Sequence, residues 1–321
     1  MMNITRRATM ALAGGLALAC AGVFGPAVSH AADSGKQLTF AMITHAQPGD
    51  TFWDIIRKGA EAAAKQDNVK LLYLSDPTAS KEAQLVTNVI NQKVDGIALT
   101  IAFPDAEAGV IKDAQKAGIP IVGFNAGSDD WKKLGLDMYV GQDETIAGQA
   151  VGERLNKEGA KSVVCVDQQQ GAVQLEERCD GIKKSFKGDF QVLYVKGYDM
   201  ASAQSRIMAK LQQDSKIDYV VTLGAPFAPV AVKSAQMAGS QAKIGTFDMS
   251  PRVVGLIKDG KVQFAVDQQP YVEGYLSIDL LWLAATNGDV VGGGQPVLTG
   301  PAFVTKDNID AVAKYAKRGT R

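Results

Sequence analysis

The sequence predicts an α/β protein with two similar lobes, each built on a doubly wound parallel sheet. Two observations favour this class. Short runs rich in Val, Ile and Leu recur, each followed by apolar residues at helical spacing, and the pattern restarts near the middle of the chain. Strands that are apolar at successive positions are buried on both faces, as in parallel sheets covered by helices. Because no linker rich in Ser, Gly and Pro separates the two runs, we expect short crossings between the lobes.

The first half of the chain alternates strands and helices. The predicted strands are Leu38–Ile43, Val69–Leu74, Gly96–Ile101, Ile119–Phe124 and Met138–Gly141. The predicted helices are Thr51–Gln66, Ser80–Lys93, Asp105–Lys116 and Glu144–Lys157. In the first of them, Phe52, Ile55 and Ile56 recur at the spacing of one helix face.

The second half repeats the alternation. Its predicted strands are Ser162–Val166, Gln191–Val195, Tyr219–Leu223 and Ile244–Phe247, with helices of about 12–15 residues between them. Near the end, Gly292–Gly294 followed by Pro296 is typical of a turn or a crossing.

Residues 1–31 have the layout of an export signal. Arg6 and Arg7 precede an apolar run, and Ser29 and Ala31 supply the small residues of a cleavage site. The run is shorter than the ~20 residues of a membrane helix, which disfavours an uncleaved anchor. Cys20 fits a lipoprotein signal poorly, and the arginine pair leaves general secretory and twin-arginine export both open. We therefore expect an exported protein cleaved near Ala31.

Charge and composition exclude several functions. The 34 basic and 34 acidic residues cancel, and loss of the two leader arginines leaves a net charge of −2. A chain with this balance lacks the basic stripe of a nucleic-acid-binding protein. The two histidines and three cysteines are too few to favour a zinc site, so we expect no metal and no cofactor. In an oxidising compartment, Cys165 and Cys179 form either a disulfide or two buried thiols.

Ligands of parallel sheets bind beyond the carboxyl ends of the strands. Amides, carboxylates and aromatics gather there, whereas phosphate-binding loops and nucleophile elbows are missing from the sequence. This chemistry favours a neutral sugar over a nucleotide, because aromatic rings stack on sugar faces and polar groups bind the hydroxyls. Phe52 and Trp53 directly follow the first strand, and we expect at least one of them to stack on the ligand.

In combination, these segments resemble the periplasmic sugar-binding proteins of ABC transporters, the ribose-binding type. The segments that carry the resemblance are the aromatic pair, VDGIALT, IPIVGFN, GQDETIAGQ, RCDGI, GTFD and DQQP. The resemblance implies the type I periplasmic binding fold, with three hinge crossings near Gln142, Gln268 and Thr299. It divides the chain into an N-terminal lobe of residues 32–142 plus 269–298 and a C-terminal lobe of residues 143–268 plus 299–321.

The resemblance also implies a set of ligand-binding residues. Combined with the positions that follow the strands, the expected set is His45, Asp50, Phe52, Trp53, Thr100, Asn125, Gln142, Glu144, Arg178, Tyr198, Asp248 and Gln268. Two positions depart from the ribose type: Ala126 stands in place of an arginine and Gly224 in place of an asparagine. These departures put ribose in doubt and leave another pentose, a hexose or a polyol open.

The function that the resemblance implies is capture of a neutral sugar or polyol by hinge closure and its delivery to an ABC permease in the inner membrane. We expect a monomer that binds no nucleic acid and catalyses no reaction. Two alternatives stay open at this point: a periplasmic sensor that presents sugar to a chemoreceptor or kinase, and a secreted enzyme.

Overall fold

The computed structural model describes residues 37–197 and 199–321. The predicted leader and Tyr198 lie outside the described residues. Within those residues the strands form two sheets of six strands each, with helices between successive strands. The described helices include none that is both long and apolar enough to cross a bilayer.

The elements alternate along the chain. The strands are β1 (Thr39–Thr44), β2 (Lys70–Ser75), β3 (Gly96–Thr100), β4 (Ile121–Phe124), β5 (Met138–Gly141), β6 (Ser162–Asp167), β7 (Asp189–Tyr194), β8 (Tyr219–Thr222), β9 (Lys243–Phe247), β10 (Phe264–Asp267), β11 (Val297–Leu298) and β12 (Ala302–Thr305). The helices are α1 (Thr51–Gln66), α2 (Ala79–Asn91), α3 (Pro104–Lys116), α4 (Glu144–Lys157), α5 (Val173–Ser185), α6 (Met200–Gln213), α7 (Phe227–Ala238), α8 (Pro251–Lys258), α9 (Pro270–Asn287) and α10 (Ile309–Arg318).

The two sheets have the same core topology. The first has the order β11-β5-β4-β3-β1-β2 and the second β12-β10-β9-β8-β6-β7. All pairs are parallel except β10 with β12. We call each sheet with the helices packed on it the first lobe and the second lobe. The predicted α/β class with two doubly wound lobes is confirmed.

Each sheet buries an apolar core on both of its faces. In β1, Phe40 and Met42 point to one core, whereas Ala41 and Ile43 point to the other. In β6, Val164 lies in one core and Val163 in the other. Successive side chains of a strand alternate between faces, so a strand that is apolar at every position supplies both cores.

The described chain passes between the sheets three times. It leaves β5 of the first sheet for α4 and β6, and leaves β10 of the second sheet for α9, which packs on α1. It crosses again between β11 and β12. Gly292–Gly294 lie before β11, between two elements of the first lobe, and therefore form a turn.

Glycines allow the closest helix contacts in each lobe. A Cβ added at Gly59 of α1 or Gly274 of α9 would collide with backbone atoms of the other helix. In the second lobe, the same is true of Gly148 of α4 and Gly181 of α5. These contacts fix α4 against α5 in the second lobe, where both helices contribute polar side chains to the site described below.

The structure joins Cys165 of β6 to Cys179 of α5 by a disulfide, with Cα atoms 6.0 Å apart. The bridge attaches the middle of α5 to β6, the strand next to the edge of the second sheet. Arg178, the neighbour of Cys179, is positioned by the same attachment.

Some elements differ from the predicted ones. The strand predicted at Ile119–Phe124 begins at Ile121, and the one predicted at Gln191–Val195 spans Asp189–Tyr194. The predicted helices of 12–15 residues between the strands of the second half are confirmed, since α5, α6 and α7 have 13, 14 and 12 residues. The shorter α8, with 8 residues, follows β9 and was given no bounds. The sequence analysis also left α9 without bounds, because apolar residues occur all around this helix and give no one-sided stripe.

Candidate functional site

A cavity with an empty volume of about 490 Å³ lies where the carboxyl ends of the two sheets face each other. From the first lobe it is lined by His45, Gln47, Asp50, Phe52, Trp53 and Asn125. From the second lobe and the crossing after β10 it is lined by Gln168, Gln169, Gln174, Leu175, Arg178, Leu223, Gly224, Pro226, Asp248 and Gln268. Residues that are far apart in the sequence meet here because parallel strands end at the same edge.

The start of α1 forms the aromatic wall of this cavity. Asp50 caps the helix, since its Oδ1 accepts a hydrogen bond from the backbone N–H of Phe52 at 3.0 Å. The rings of Phe52 and Trp53 meet edge to face with centroids 5.3 Å apart, and the Trp53 ring meets His45 in the same way at 4.8 Å. Both aromatics are nearly buried and both line the cavity, so they offer apolar surface to the C–H groups of a ligand.

Arg178 is the cation of the cavity wall. Its Nε and Nη2 each donate to a different carboxylate oxygen of Glu144 at 2.7 Å, and Nη1 donates to the carbonyl oxygen of Leu223 at 2.9 Å. A guanidinium has five N–H groups, so these three bonds leave two for a ligand. The centroid of the Phe247 ring lies 4.6 Å from the guanidinium carbon, so the cation also packs on an aromatic face. Burial works to lower the pKa of Arg178, but the Glu144 carboxylate outweighs it and raises that pKa.

Amide groups connect the two lobes beside the cavity. The side-chain N–H groups of Asn125 donate to Oε1 of Gln268 at 3.1 Å and to Oε2 of Glu273 at 2.9 Å. Gln268 in turn donates to Oδ1 of Asp248 at 2.6 Å. Asn125 follows β4, Gln268 lies in the crossing after β10, and Asp248 follows β9, so the chain of bonds runs from one lobe to the other through a crossing.

Asn125 and Asp248 occupy corresponding places in the two lobes. Both directly follow an inner strand and both have left-handed backbone, with φ of 63° and 67°. Asn and Asp tolerate this conformation better than other side chains except glycine. Ser250, and not Asp248, caps α8, which leaves the Asp248 side chain to the cavity.

Two carboxyl groups of this region titrate near neutral pH. Burial raises the pKa of Asp248 to about 7, although Arg178 and the Gln268 bond act to lower it. Burial raises the pKa of Glu273 to about 8 against the bonds from Asn125 and Thr299. Protonation of these groups at mildly acidic pH keeps the closed interior from accumulating negative charge.

The structure brings most of the predicted site residues together. Those that line the cavity are His45, Asp50, Phe52, Trp53, Asn125, Arg178, Asp248 and Gln268. Three others lie behind its wall: Thr100 contacts His45, Gln142 donates to Glu144 at 2.7 Å, and Glu144 pairs with Arg178. The structure therefore places these three as supports of lining residues. Tyr198 is outside the described residues.

Several lining residues were missed by the sequence analysis. The clearest is Gln174, one helical turn before Arg178 on α5. Residues four apart on a helix share a face, so the position of Arg178 could have indicated Gln174. Gln168 directly follows β6 and is one of the positions after strands where the sequence indicates ligand contacts, although it was left out of the expected set. It lies beside Gly224, where a Cβ would be 3.3 Å from its side-chain nitrogen. Gln168 thus occupies space that the glycine leaves free.

Known proteins share this architecture. Residues 40–289 match the family model described as a periplasmic binding protein domain. A carbohydrate transporter structure from Acidothermus cellulolyticus 11B, solved with myo-inositol, is 58% identical, with a TM-score of 0.88, and the match covers 89% of this chain and 100% of that one. An ABC transporter solute-binding protein from Burkholderia graminis C4D1M, solved with D-arabinose, is 28% identical, with a TM-score of 0.76 and coverage of 85% and 97%.

Curated relatives are more distant. The xylose/arabinose-binding protein XylF of Sulfolobus acidocaldarius is 27% identical over 68% of this chain, and the match spans 59% of the length of that relative. The ribose import binding protein RbsB of Bacillus subtilis is 23% identical over 77% of this chain and 82% of its own. The resemblance predicted from the motifs is confirmed. The chain belongs to the periplasmic binding protein family, among the sugar-binding proteins of ABC transporters.

Proposed function

We propose that the protein binds a neutral cyclic polyol, myo-inositol, in the cavity between its lobes and delivers it to an ABC importer. The observation that carries this proposal is a cavity at the facing ends of the two sheets in which amides and carboxylates surround two aromatic rings. The identity of 58% with the Acidothermus protein that was solved with myo-inositol supports this choice of ligand.

The polar groups of the cavity suit a ring that bears only hydroxyls. Each hydroxyl both donates and accepts hydrogen bonds. The side-chain oxygens of Gln168 and Gln174 are buried without a hydrogen-bond partner among the described residues, so each is an acceptor for a ligand hydroxyl. Arg178 supplies donors, and Asp248 supplies a carboxylate. A site of this kind rejects analogues that lack a matching hydroxyl, because its buried polar groups would be left unpaired.

Capture would proceed by hinge closure. In this proposal residues 32–142 plus 269–298 and residues 143–268 plus 299–321 move as two bodies about the three crossings. The ligand stabilises the closed form by bonding to both bodies at once. A permease recognises that closed form, and the protein itself acts as a monomer, binds no nucleic acid and converts no substrate.

The proposed location is the periplasm. Relatives of this family act there, and residues 1–31 have the layout of a cleaved signal. Mass spectrometry of the exported protein tests this part, because cleavage near Ala31 predicts a mature chain that begins at Ala32.

A ligand panel tests the binding proposal. Purified protein is heated with myo-inositol, scyllo-inositol, D-ribose, D-arabinose, D-xylose, D-glucose or no addition. A ligand that binds only the folded protein, at 100 times its Kd, adds about 2.7 kcal/mol of stability. For a chain of this size, we expect the melting temperature to rise by roughly 5 °C or more. The largest shift should come from myo-inositol, and equal melting temperatures across the panel would contradict the proposal.

A further inference from the structure

A buried chain of four side chains leads from the interior of the first lobe to the second lobe. Oγ1 of Thr100 lies 2.7 Å from Oε1 of Glu82, 2.9 Å from Nδ1 of His45 and 3.1 Å from the backbone nitrogen of His45. On the other side of the imidazole, Nε2 lies 2.8 Å from the side-chain nitrogen of Gln174. Glu82, Thr100 and His45 belong to the first lobe, and Gln174 belongs to α5 of the second lobe. We call this chain the His45 relay.

The directions of these hydrogen bonds follow from the donors available. The Thr100 hydroxyl has one hydrogen and two lone pairs. Its hydrogen goes to the Glu82 carboxyl, and the backbone N–H of His45 takes one lone pair. The remaining lone pair accepts from the ring, which places the imidazole hydrogen on Nδ1. Nε2 is then an acceptor, and the Gln174 amide N–H donates to it.

The surroundings keep the imidazole neutral. Burial first, and the Arg178 charge second, lower the pKa of His45 to about 3. Burial also raises the pKa of Glu82 and of Glu107, whose carboxyl groups bond to each other, so a proton held between them leaves Oε1 of Glu82 as an acceptor. The charged or titratable groups on the elements around His45 are Asp50, Glu82, Glu107, Arg178 and Asp248.

We propose that the His45 relay stabilises the closed form through a hydrogen bond that is prepared within the first lobe before closure, and that it also orients the Gln174 side chain towards the ligand. The part within the first lobe holds His45 as the Nδ1–H tautomer before closure, and on closure the Gln174 nitrogen bonds to Nε2. The side-chain oxygen of Gln174, which is buried without a partner among the described residues, is thereby turned to accept from a ligand hydroxyl. Glu82, Thr100 and His45 act as positioning residues, and the ligand part of this inference rests on the proposed function.

The His45 relay predicts how ligand affinity depends on pH. In the proposed open form His45 would be exposed and would titrate near its ordinary pKa of about 6.5, whereas burial lowers its pKa to about 3 in the structure. Closure would therefore release a proton from His45 below about pH 6.5, and the His45 contribution to affinity falls as the pH is lowered from there. In Gln174→Glu a carboxylate faces Nε2 and needs a hydrogen from it, so acid favours closure of this variant. Asp248 is present in both proteins, so the difference between them reports His45.

Nitrogen NMR and calorimetry on the full chain test the relay. Two-bond ¹H–¹⁵N correlations of ¹⁵N-histidine protein distinguish the two tautomers, and His45→Gln assigns the His45 signals against those of His30. We expect the Nδ1–H tautomer in the wild type and in Thr100→Ser, and its loss in Thr100→Val. With myo-inositol as probe, Thr100→Val should bind about tenfold or more weakly, since it leaves a buried donor unpaired, while Thr100→Ser binds like the wild type. As the pH is lowered from 7.5 to 5.5, the affinity of Gln174→Glu should rise relative to that of the wild type.

Three results would overturn the relay: an Nε2–H tautomer in the wild type, unchanged affinity in Thr100→Val, or the same pH dependence of affinity in the wild type and Gln174→Glu. If myo-inositol does not bind the wild type, the proposed function fails. The tautomer in the free protein still decides the relay in that case, because Glu82, Thr100 and His45 all lie within the first lobe.

Discussion

The side-chain nitrogen of Gln268 lies 2.6 Å from Oδ1 of Asp248, and the oxygen of the same amide accepts from Asn125. One residue of a crossing is therefore bonded to the cavity end of each lobe. An amide can do this because it donates and accepts at once. The crossing and the cavity are thus joined by hydrogen bonds, which would connect the proposed hinge directly to a ligand in the cavity.

The Asp248 carboxylate gives binding a second pH dependence. Burial raises its pKa to about 7 in the closed protein, above the value of about 3.9 of an exposed aspartate. Closure therefore takes up a proton at this group below pH 7, and the Asp248 contribution to affinity rises as the pH drops, opposite in sign to that of His45. Asp248→Asn keeps the shape of the side chain and loses the charge. We expect about 10-fold weaker binding of myo-inositol at pH 8 and a flatter affinity profile between pH 8 and 6 by calorimetry. The control is Asp259→Asn at an exposed position, which should change neither the affinity at pH 8 nor its dependence on pH.

We expect Arg178 to serve both ligand binding and stability. Replacement by Ala leaves the Glu144 carboxylate, which has no exposed surface, without its partner. Removal of one member of a buried ion pair costs about 3–5 kcal/mol, so Arg178→Ala should unfold at much lower urea concentration as well as lose binding. The double variant Arg178→Met with Glu144→Gln removes both charges and should recover most of the stability without recovering binding. Equal stability of Arg178→Ala and the wild type would show that the pair is unimportant.

Glu273 tests how the protonation of a buried carboxyl group makes the stability of the protein depend on pH. Its pKa is raised by burial to about 8, above the ordinary value of about 4.3, so the folded protein holds a proton that the unfolded chain releases between these pH values. The free energy of unfolding should therefore rise as pH is lowered from 8 to 5. In Glu273→Gln the amide can accept from Asn125 and donate to Thr299, so this variant should fold normally with a weaker pH dependence. The free energy of unfolding of both proteins is measured by urea titration at several pH values. An equal pH dependence in Glu273→Gln and the wild type would contradict the raised pKa of Glu273.

The contact between α1 and α9 depends on glycine. A Cβ at Gly274 would overlap the carbonyl oxygen of Ile56, so Gly274→Ala should separate the helices and lower the free energy of unfolding by at least about 1–3 kcal/mol. Gly255 of α8 is the matched control, because open space surrounds its Cβ position. Gly255→Ala should be neutral or stabilise by up to about 1 kcal/mol through helix propensity. Thermal unfolding of the two variants side by side measures the difference.

Reduction of the disulfide should weaken the second lobe. Cys165 and Cys179 are 14 residues apart in the sequence, and closing a loop of that length contributes about 3 kcal/mol. Dithiothreitol should lower the melting temperature of the wild type. The variant with both cysteines replaced by Ala should have a lower melting temperature, and the reductant should not change it. If the reductant lowered the melting temperature of this variant as much as that of the wild type, the effect could not come from the disulfide.

The sequence predicted the residues that follow each strand, because strands and helices alternate in a local pattern. It did not predict the contacts that form between the two lobes. Asn125 and Asp248 were predicted because each directly follows an apolar strand, and the sheet topology places such residues at one edge. Thr100 also follows this logic, yet its hydroxyl is taken by Glu82 and His45 behind the cavity. The bond between His45 and Gln174 joins residues 129 positions apart. A contact of this kind depends on how far the lobes close, which no local pattern records.

The binding of myo-inositol in the cavity between the lobes is tested most directly by isothermal titration calorimetry of the wild type, Asp248→Ala and the exposed control Asp259→Ala. The account predicts saturable binding to one site in the wild type and in Asp259→Ala, and loss of most of the affinity in Asp248→Ala with its fold intact by circular dichroism. No binding to the wild type, or equal affinity in all three folded proteins, would contradict it.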